Sequence, residues 1–240
     1  MAEYGSWLDL PSAQVAEMMA QVGFDFIVVD LEHGPASVET AQLQLMAIAG
    51  NDCRSIVRVP EASEAWVKRV LDAGAQGVMV PKVETATQAA EIVSWAYYAP
   101  KGERGDARRV VRASGWGSKS EAYREEWNNN GFVSVQIESV AGMDKIEEIA
   151  AIDGVTQLFF GPSDYSADAG ISIEGPEALT AAAKVAEVAK KYGLDSGSVT
   201  FPLGTPAALT ELGFTHISVA GDVAALTDSL AASLKDARGK

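Results

Sequence analysis

The feature that most constrains this chain is a regular alternation of short apolar runs with helical segments along its 240 residues. Residues 131–170 show it clearly, with a β-rich run at 132–137, a helical pattern at 141–151 and a second apolar run at 158–160. A crossover of this length joins parallel strands. The carboxyl ends of parallel strands meet at one edge of a sheet, so Glu138 and Asp164, which follow the two runs, should lie close together.

The same alternation recurs from end to end of the sequence. The predicted strands cover residues 4–10, 24–31, 55–60, 77–83, 132–137, 158–160, 194–199 and 215–220. Each run precedes a helical segment, and no linker interrupts the chain, whose length is typical of such barrels. We therefore expect an α/β fold, a (β/α)8 TIM barrel, with residues 1–240 as a single domain. A doubly wound open sheet is the alternative, but no glycine fingerprint for a dinucleotide follows the first strands.

Composition and charge exclude several classes of protein. The chain has 48% apolar and 22% charged residues and no apolar run near the roughly 20 residues that span a membrane. Its start does not resemble a signal peptide, and its single cysteine, Cys53, cannot form an internal disulfide, which favours a cytoplasmic location. The net charge of −14 disfavours nucleic acid. A small acidic substrate would need a local positive focus, such as a bound dication with one Arg.

Polar residues cluster where the predicted strands end. They are Asp30, Glu32, His33, Arg58, Lys82, Gln136, Glu138 and Asp164. Barrel enzymes carry their active sites at this C-terminal mouth, and paired carboxylates suit a hard divalent cation. Solvated loops are an alternative explanation of acidic strand ends, and the Gly-Pro-Ser-Asp segment at 161–164 is also compatible with a simple turn.

Several motifs together resemble one known family. The segments VQIES, IDGVTQLFFGPSDYSADAG, VVDLEHGP and VRVP are similar to the HpcH/HpaI family of class II, metal-dependent pyruvate aldolases, whose relatives include citrate lyase β-chains and macrophomate synthase. The resemblance extends from GSWLDL to HISVAGDVAAL. It implies a phosphoenolpyruvate/pyruvate-binding barrel in which Glu138 and Asp164 bind Mg²⁺, Mn²⁺ or Co²⁺. It also implies a lyase that cleaves or forms 4-hydroxy-2-oxo acids, such as 4-hydroxy-2-oxoheptanedioate, from pyruvate or a related 2-oxo acid and an aldehyde through a metal-stabilised enolate.

The resemblance also implies roles for individual residues. His33 would be a catalytic base supported by Asp30, and Arg58 would contact a pyruvate oxygen. Both roles are chemically sensible, because a carboxylate can fix the tautomer of a His that titrates near neutral pH, and the planar donors of Arg suit an enolate or carboxylate. Gln136 shares a strand face with Glu138 and could orient the substrate. The implied cradle for the pyruvate carboxylate is the backbone of Gly161, Pro162, Ser163 and Asp164.

Further candidates for the site are Glu32, Trp7, Lys82, Asp72 and Asp222. Lys82 raises a mechanistic rival, since a buried Lys at a strand end can form a Schiff base without metal. Asp222 could equally cap the last helix, and Asp72 matches a family position that reaches a neighbouring subunit. The family's motif is not followed at residues 106–109 or in SVTFPLG, where loops are expected to cover the acceptor aldehyde.

Other functions and the assembly remain open at this point. The same chemistry would serve an oxaloacetate decarboxylase or a citrate-lyase-like acyl-CoA lyase, and a non-catalytic 2-oxo-acid binding protein is a different class of explanation. Relatives assemble as trimers of dimers with an exchanged C-terminal helix, which implies a homo-oligomer, a trimer or hexamer. The stripe of Leu226, Leu230 and Leu234 would suit that exchange or packing on the chain's own barrel.

Overall fold

The computed structural model describes residues 2–239, and its central feature is a closed barrel of eight parallel strands. Every strand pairs with the next in the sequence, and β8 closes the barrel against β1. The strands are β1 Glu3–Leu8, β2 Phe26–Asp30, β3 Arg54–Arg58, β4 Gly77–Val80, β5 Phe132–Ile137, β6 Gln157–Phe160, β7 Asp195–Val199 and β8 His216–Gly221. The TIM-barrel prediction is thereby confirmed.

Helices surround the barrel. They are α1 Ala13–Val22, α2 Val38–Ile48, α3 Glu64–Asp72, α4 Ala86–Ala96, α5 Ser120–Asn130, α6 Val140–Asp144, α7 Ile146–Ala150, α8 Pro162–Ala169, α9 Pro176–Tyr192, α10 Pro206–Leu212 and α11 Asp222–Ala237. Their limits follow local chemistry. The Ser12 hydroxyl, for example, accepts the Val15 N–H at the start of α1, and Gly23 ends that helix in the left-handed region at φ 95°.

Two hydrophobic layers stabilise the barrel. The outer layer packs strands against helices, and β2 is buried at every position because its second face fills the barrel interior. The inner layer consists of Phe26, Val28, Ile56, Met79, Phe132 and Phe159, with Trp7 and Val199 against it. These apolar side chains fill the lower and middle barrel, so the inward-facing polar residues nearer the strand ends line its mouth.

Two segments near the mouth differ from the sequence prediction. The helix predicted over 141–151 is interrupted at Lys145, whose backbone angles of φ −106° and ψ 9° are not helical, and it becomes α6 and α7. No helix was predicted over residues 162–169, and the segment 161–164 was compatible with a simple turn, but these residues form α8 with Pro162 in its first turn. A proline there suits a helix start, because its fixed φ is helical and its missing N–H would be unpaired in any case.

Residues 97–131 join α4 to β5 and lie at the N-terminal end of the barrel. Helix-to-strand connections lie at this end, and Arg112 Nη1 donates to the Ala73 carbonyl, just before β4, at 3.0 Å. Residues 106–109, predicted to cover the acceptor aldehyde, therefore lie at the end of this barrel opposite to the mouth. The other atypical segment, SVTFPLG, does follow the C-terminal end of β7, and Phe201 is exposed there.

The C-terminal helix α11 leaves the barrel surface. Only Asp222, at its start, is buried, whereas residues 223–237 are all exposed, and Leu226 and Leu230 expose 51% and 61% of their surface. Over residues 2–239, no helix combines the length and hydrophobicity needed to cross a bilayer. An amphipathic helix with a bare apolar face usually has a partner surface.

Candidate active site at the mouth of the barrel

The centre of the mouth is a buried ion pair between β2 and β3. Asp30 and Arg58 are the last residues of their strands and are paired in register. Arg58 Nε and Nη2 donate to the two Asp30 carboxylate oxygens at 2.8 and 2.7 Å. Burial alone would raise the pKa of Asp30, but these hydrogen bonds and the charge of Arg58 outweigh it and lower that pKa. Asp30 is therefore an ionised anchor for the guanidinium.

Arg58 is also held from its other sides. Its Nη1 lies 2.9 Å from a carboxylate oxygen of Glu32, and its guanidinium stacks over the Trp7 ring, 4.4 Å from the ring centroid. Burial alone would lower the pKa of Arg58, but its hydrogen bond to Asp30 and the neighbouring carboxylates raise it. The guanidinium is thus a fixed positive charge, and its remaining N–H groups can bind an anion.

Glu138 is a buried carboxylate just beyond the end of β5. One oxygen accepts the Lys82 backbone N–H at 2.7 Å, and the other accepts Gln136 Nε2 at 3.0 Å. Burial, together with the negative charges of Asp164 and Glu32, raises the pKa of Glu138 to about 7. A carboxylate held in such surroundings is stabilised by a cation.

Unpartnered polar atoms at the mouth indicate a ligand position. Gln136 Oε1 and Trp7 Nε1 are buried and find no hydrogen-bond partner among residues 2–239. Buried polar atoms are normally paired, because an unmade hydrogen bond costs about 1–3 kcal/mol. Trp7 stacks on Arg58, and Gln136 is hydrogen-bonded to Glu138. A polar molecule bound between Arg58 and Glu138 would therefore supply hydrogen-bond partners for the two unpartnered atoms.

The start of α8 faces the same region. Gly161 is buried against Glu138, and a Cβ at this position would lie only 2.5 Å from a Glu138 carboxylate oxygen. Glycine is therefore required for this close approach. Ser163 and Asp164 follow in the first turn and are exposed. The free N–H groups of a helix N-terminus favour an anion, which supports the predicted carboxylate cradle at residues 161–164.

The carboxylates suit a divalent cation without forming a complete cage. Within the described part of the chain, no three His, Cys, Asp or Glu side chains converge as a metal-binding group. Mg²⁺ is commonly bound by one or two carboxylates, with water and substrate oxygens as its other ligands. Glu138 and Asp164, with Gln136 Oε1 unpartnered beside them, fit that mode.

The predicted support of His33 by Asp30 is not observed. Asp30 accepts hydrogen bonds from Arg58 and from the Glu32 backbone N–H at 3.0 Å, and among the described residues none joins it to the His33 ring. The physical reason is that β2 ends at Asp30, so this carboxylate points inward to Arg58 while His33 is exposed in the following loop. His33 therefore stands at the rim, free to meet a substrate or water.

Three further candidates occupy distinct places. Lys82 is exposed, with its backbone in the left-handed region at φ 51°, so its amine lacks the burial that a Schiff-base lysine requires. Asp72 ends α3, remote from the mouth, and binds Arg104 Nη2 at 2.7 Å. Asp222 lies at the rim, where its oxygens accept the backbone N–H groups of Asp9 and Leu10 at 3.0 and 2.9 Å.

Asp9 is a mouth residue that sequence reasoning missed. It lies just after β1, within hydrogen-bond distance of the Asp30 carboxylate. The sequence did contain a sign of this position: side chains two residues apart on a strand share a face, so Asp9 points to the same inner side as Trp7. The run LDLP suggested only the end of a strand.

A second cavity, of about 620 Å³, lies at the opposite end of the barrel. It is lined by Arg54 and Phe132, which begin strands β3 and β5, and by the aromatic side chains of Tyr123 and Trp127 in the 97–131 segment. His216 is buried nearby against Arg54 and Glu3. Barrel enzymes use the other face, so we assign the chemistry to the mouth.

The barrel fold and the polar, partly buried mouth are typical of a (β/α)8-barrel enzyme that acts on a small molecule. Comparison with known proteins makes this specific. The sequence model of the HpcH/HpaI aldolase/citrate lyase family matches residues 3–229, and the chain belongs to that family. It is accordingly a carbon–carbon lyase of the aldolase type.

Individual relatives agree with this assignment. A hydroxypyruvate/pyruvate aldolase of Agrobacterium fabrum is 36% identical over 96% of this chain and 87% of its own length. A 4-hydroxy-2-oxovalerate aldolase of Novosphingobium aromaticivorans is 44% identical over 70% of this chain and 64% of its own. The crystal structure of an HpcH/HpaI aldolase/citrate lyase family protein from Burkholderia cenocepacia J2315 superimposes with a TM-score of 0.92 at 36% identity, covering 99% and 95% of the two chains.

Proposed function

We propose that the chain is a divalent-metal-dependent aldolase that cleaves and forms the carbon–carbon bond between an aldehyde and pyruvate or a closely related 2-oxo acid. The observation that carries this proposal is the buried Glu138 carboxylate, whose pKa is raised to about 7 and whose neighbours include Asp164. Mg²⁺, Mn²⁺ or Co²⁺ held by Glu138 and Asp164 would relieve that unfavourable burial. When bound, the cation supplies Lewis-acid stabilisation of the negative charge that develops on a 2-oxo acid as its bond to the aldehyde carbon breaks.

The chain's own residues bind and orient the 2-oxo acid. The first-turn N–H groups of α8, at Ser163 and Asp164, receive the substrate carboxylate. Arg58, held by Asp30 and stacked on Trp7, directs its remaining N–H groups to the substrate oxygen that becomes negative. The unpartnered Oε1 of Gln136 accepts a hydrogen bond from a hydroxyl of the bound molecule or from a water that accompanies it. Together these contacts orient the bond to be broken.

Proton transfer to and from the acceptor falls to His33. Its ring is exposed at the rim, where it can take the hydroxyl proton of a 4-hydroxy-2-oxo acid directly or through water. In the direction of synthesis it returns that proton to the new hydroxyl. The loop after β7, with Phe201 exposed, is our candidate for contact with the aldehyde.

A metal-free Schiff-base mechanism is less consistent with the site. Lys82 is the lysine at a predicted strand end, but its side chain is exposed, whereas a Schiff-base lysine is normally buried. Its backbone N–H instead serves Glu138. We therefore assign Lys82 a supporting role.

The decisive experiment follows the methyl protons of pyruvate by NMR in deuterated water. Metal-stripped protein should not exchange them, and addition of Mg²⁺ or Mn²⁺ should restore exchange in the wild type but not in the E138Q variant. E39Q, at an exposed position of α2, is the matched control and should behave as the wild type. Exchange that persists without metal would contradict the proposed mechanism and turn attention to Lys82.

A panel of aldehydes with pyruvate then distinguishes the reactions available to this site. Aldol products would establish the proposed activity. Metal-dependent exchange without any aldol product, combined with release of carbon dioxide from oxaloacetate, would indicate a decarboxylase instead. Tight pyruvate binding without exchange would indicate a binding protein.

We also propose that the chain assembles as a homo-oligomer, a trimer or hexamer, in which α11 packs on a neighbouring copy. Support comes from the exposure of residues 223–237, including the apolar face of Val223, Leu226, Leu230 and Leu234. Burying such a face is favourable by roughly 25 cal/mol per Å² of apolar surface.

The buried thiol of Cys53, with a pKa raised to about 11 by burial, is unreactive and compatible with the cytoplasmic location that we also propose.

A further inference from the structure

Asp9 stands between two other carboxylates on the rim of the barrel. The pairing of β1 with β2 runs through Leu8 and Val29, which brings the next residues, Asp9 and Asp30, side by side. On its other flank β1 pairs with Gly221, immediately before Asp222. Asp222, Asp9, Asp30 and Arg58 therefore follow one another around the mouth on successive elements.

Within residues 2–239, the Asp9 carboxyl receives no hydrogen bond from a backbone N–H or a cationic side chain, unlike its two neighbours in this row. Asp222 accepts the backbone N–H groups of Asp9, Leu10 and Val223 at 3.0, 2.9 and 2.8 Å. Asp30 accepts two hydrogen bonds from Arg58 at 2.8 and 2.7 Å. The Asp9 side chain instead meets the Asp30 carboxylate, within hydrogen-bond distance.

Two carboxyl groups this close share a proton, because like charges in contact cannot both remain ionised at low cost. The charged groups facing Asp9 are Asp30 from β2, Asp222 from the start of α11 and Arg58 from β3. Burial, followed by the hydrogen bond and charge of Asp30 and the charge of Asp222, raises the pKa of Asp9 to about 6, while Arg58 opposes this. Asp30 is kept ionised by Arg58, so the proton belongs to Asp9.

We propose that Asp9 is a positioning residue: as a neutral carboxylic acid it donates a hydrogen bond to Asp30 and so holds the Asp30–Arg58 pair in place for an anionic substrate. The proposal rests on the proposed function, in which Arg58 binds a 2-oxo acid. An ionised Asp9 would compete with that substrate for the only guanidinium within the row. Binding of the anion at Arg58 therefore favours the neutral form of Asp9.

This arrangement predicts that binding of the 2-oxo acid is linked to a proton on Asp9. The neutral fraction of a group falls about tenfold for each pH unit above its pKa. The KM for pyruvate of the metal-loaded enzyme should accordingly rise on the order of tenfold between about pH 6 and about pH 7.5. Every other titrating group is common to the wild type and the Asp9 variants, so the part due to Asp9 is the difference from a variant in which Asp9 cannot ionise.

Three variants separate the donor from the charge. D9N keeps an N–H donor for Asp30 without a titrating group, so its KM should lack the Asp9 step. D9A removes the donor, so its KM should be raised at about pH 5.5 as well. D52N makes the same change of net charge at an exposed position before β3, at the opposite end of the barrel, and should follow the wild type.

The metal-free protein supplies a readout that needs no activity. With ¹³C-labelled aspartate, the Asp9 carboxyl signal, identified by its loss in D9N, should titrate with a midpoint near pH 6. A midpoint near the ordinary Asp value of about 4 would overturn the proposal. So would a D9N enzyme whose KM keeps the wild-type pH step, or a D9A enzyme that matches D9N at about pH 5.5.

The two proposals can fail separately. If the wild type neither binds nor exchanges pyruvate at any pH while the Asp9 signal titrates near pH 6, the proposed function is wrong and the substrate linkage falls with it. If pyruvate exchange depends on metal and Glu138 but Asp9 titrates normally, the proposed function stands and Asp9 has no positioning role.

Discussion

Replacing Glu138 with Gln should make the metal-free protein more stable and at the same time abolish its activity. In the folded protein the pKa of Glu138 is raised from 4.5 to about 7, chiefly by burial. The folded state therefore binds this proton more tightly than the unfolded state does. For an acid whose pKa is raised, stability is lost as pH rises from the unfolded value towards the folded one.

The magnitude follows from that pKa difference. One pH unit corresponds to about 1.36 kcal/mol, so the charged Glu138 destabilises the metal-free fold by about 3 kcal/mol above about pH 8. Glu138 is only 6% exposed, so solvent screens this cost weakly. In E138Q the amide oxygen can still accept the Lys82 N–H, and Gln136 can turn its unpartnered oxygen towards the new amide. A gain of this size corresponds to a rise in Tm of roughly 6–12 °C.

Thermal unfolding of wild type, E138Q and the exposed control E39Q, each in a chelator at about pH 8 and about pH 5, tests the reasoning. At about pH 5 the advantage of E138Q should largely vanish, because the wild-type carboxyl is then protonated. Adding Mg²⁺ or Mn²⁺ at about pH 8 should stabilise the wild type and leave E138Q unchanged. An E138Q protein that is no more stable than wild type at about pH 8, or equally favoured at both pH values, would refute the reasoning.

Four other predictions concern the site, the far end of the barrel and helix α11. R58K should lose a charge-assisted hydrogen bond to Asp30, which is worth about 1.5–3 kcal/mol, and lower kcat/KM roughly tenfold to a hundredfold; a change below about threefold would contradict its role. H33A should reduce aldol turnover far more than pyruvate proton exchange or metal binding, and unchanged turnover would remove His33 from the mechanism. Burial lowers the pKa of His216, so its contribution to stability is present above about pH 6.5 and lost as pH falls; H216Q should lose less stability than wild type on acidification, measured by urea unfolding. L230D should reduce the oligomer's mass in light scattering if α11 packs on a second copy, whereas an unchanged mass would contradict that packing.

Much of the fold could be predicted from the sequence, because the evidence for it is local. Apolar runs of strand length alternating with helical periods demand a parallel sheet with crossovers, and eight of them close a barrel. Arg58, Gln136 and Glu138 could be assigned to the mouth for the same reason, since each stands at or beside the end of its strand. Glu138 remains predicted as a metal ligand, both because a buried carboxylate is stabilised by a cation and because it follows the end of β5.

The contacts between side chains at the mouth could not be predicted from local sequence patterns. Asp9 and Asp30 are far apart in the sequence, and only the register of β1 against β2 brings them together. The register of β2 against β3 pairs Asp30 with Arg58, and because β2 ends at Asp30, His33 is left exposed in the following loop. A one-residue shift would turn these side chains to the opposite face of the sheet, so no motif could reveal the pairing.

The sequence by itself therefore determined the barrel, the order of its strands and most of the side chains at its C-terminal end, because hydrophobic periodicity depends on neighbours along the chain. The tertiary structure alone decided which of those side chains share charge and protons, that α8 forms beside Glu138, and that residues 97–131 lie at the far end of the barrel. Those properties depend on burial and on distances across strands, which arise only when the barrel closes.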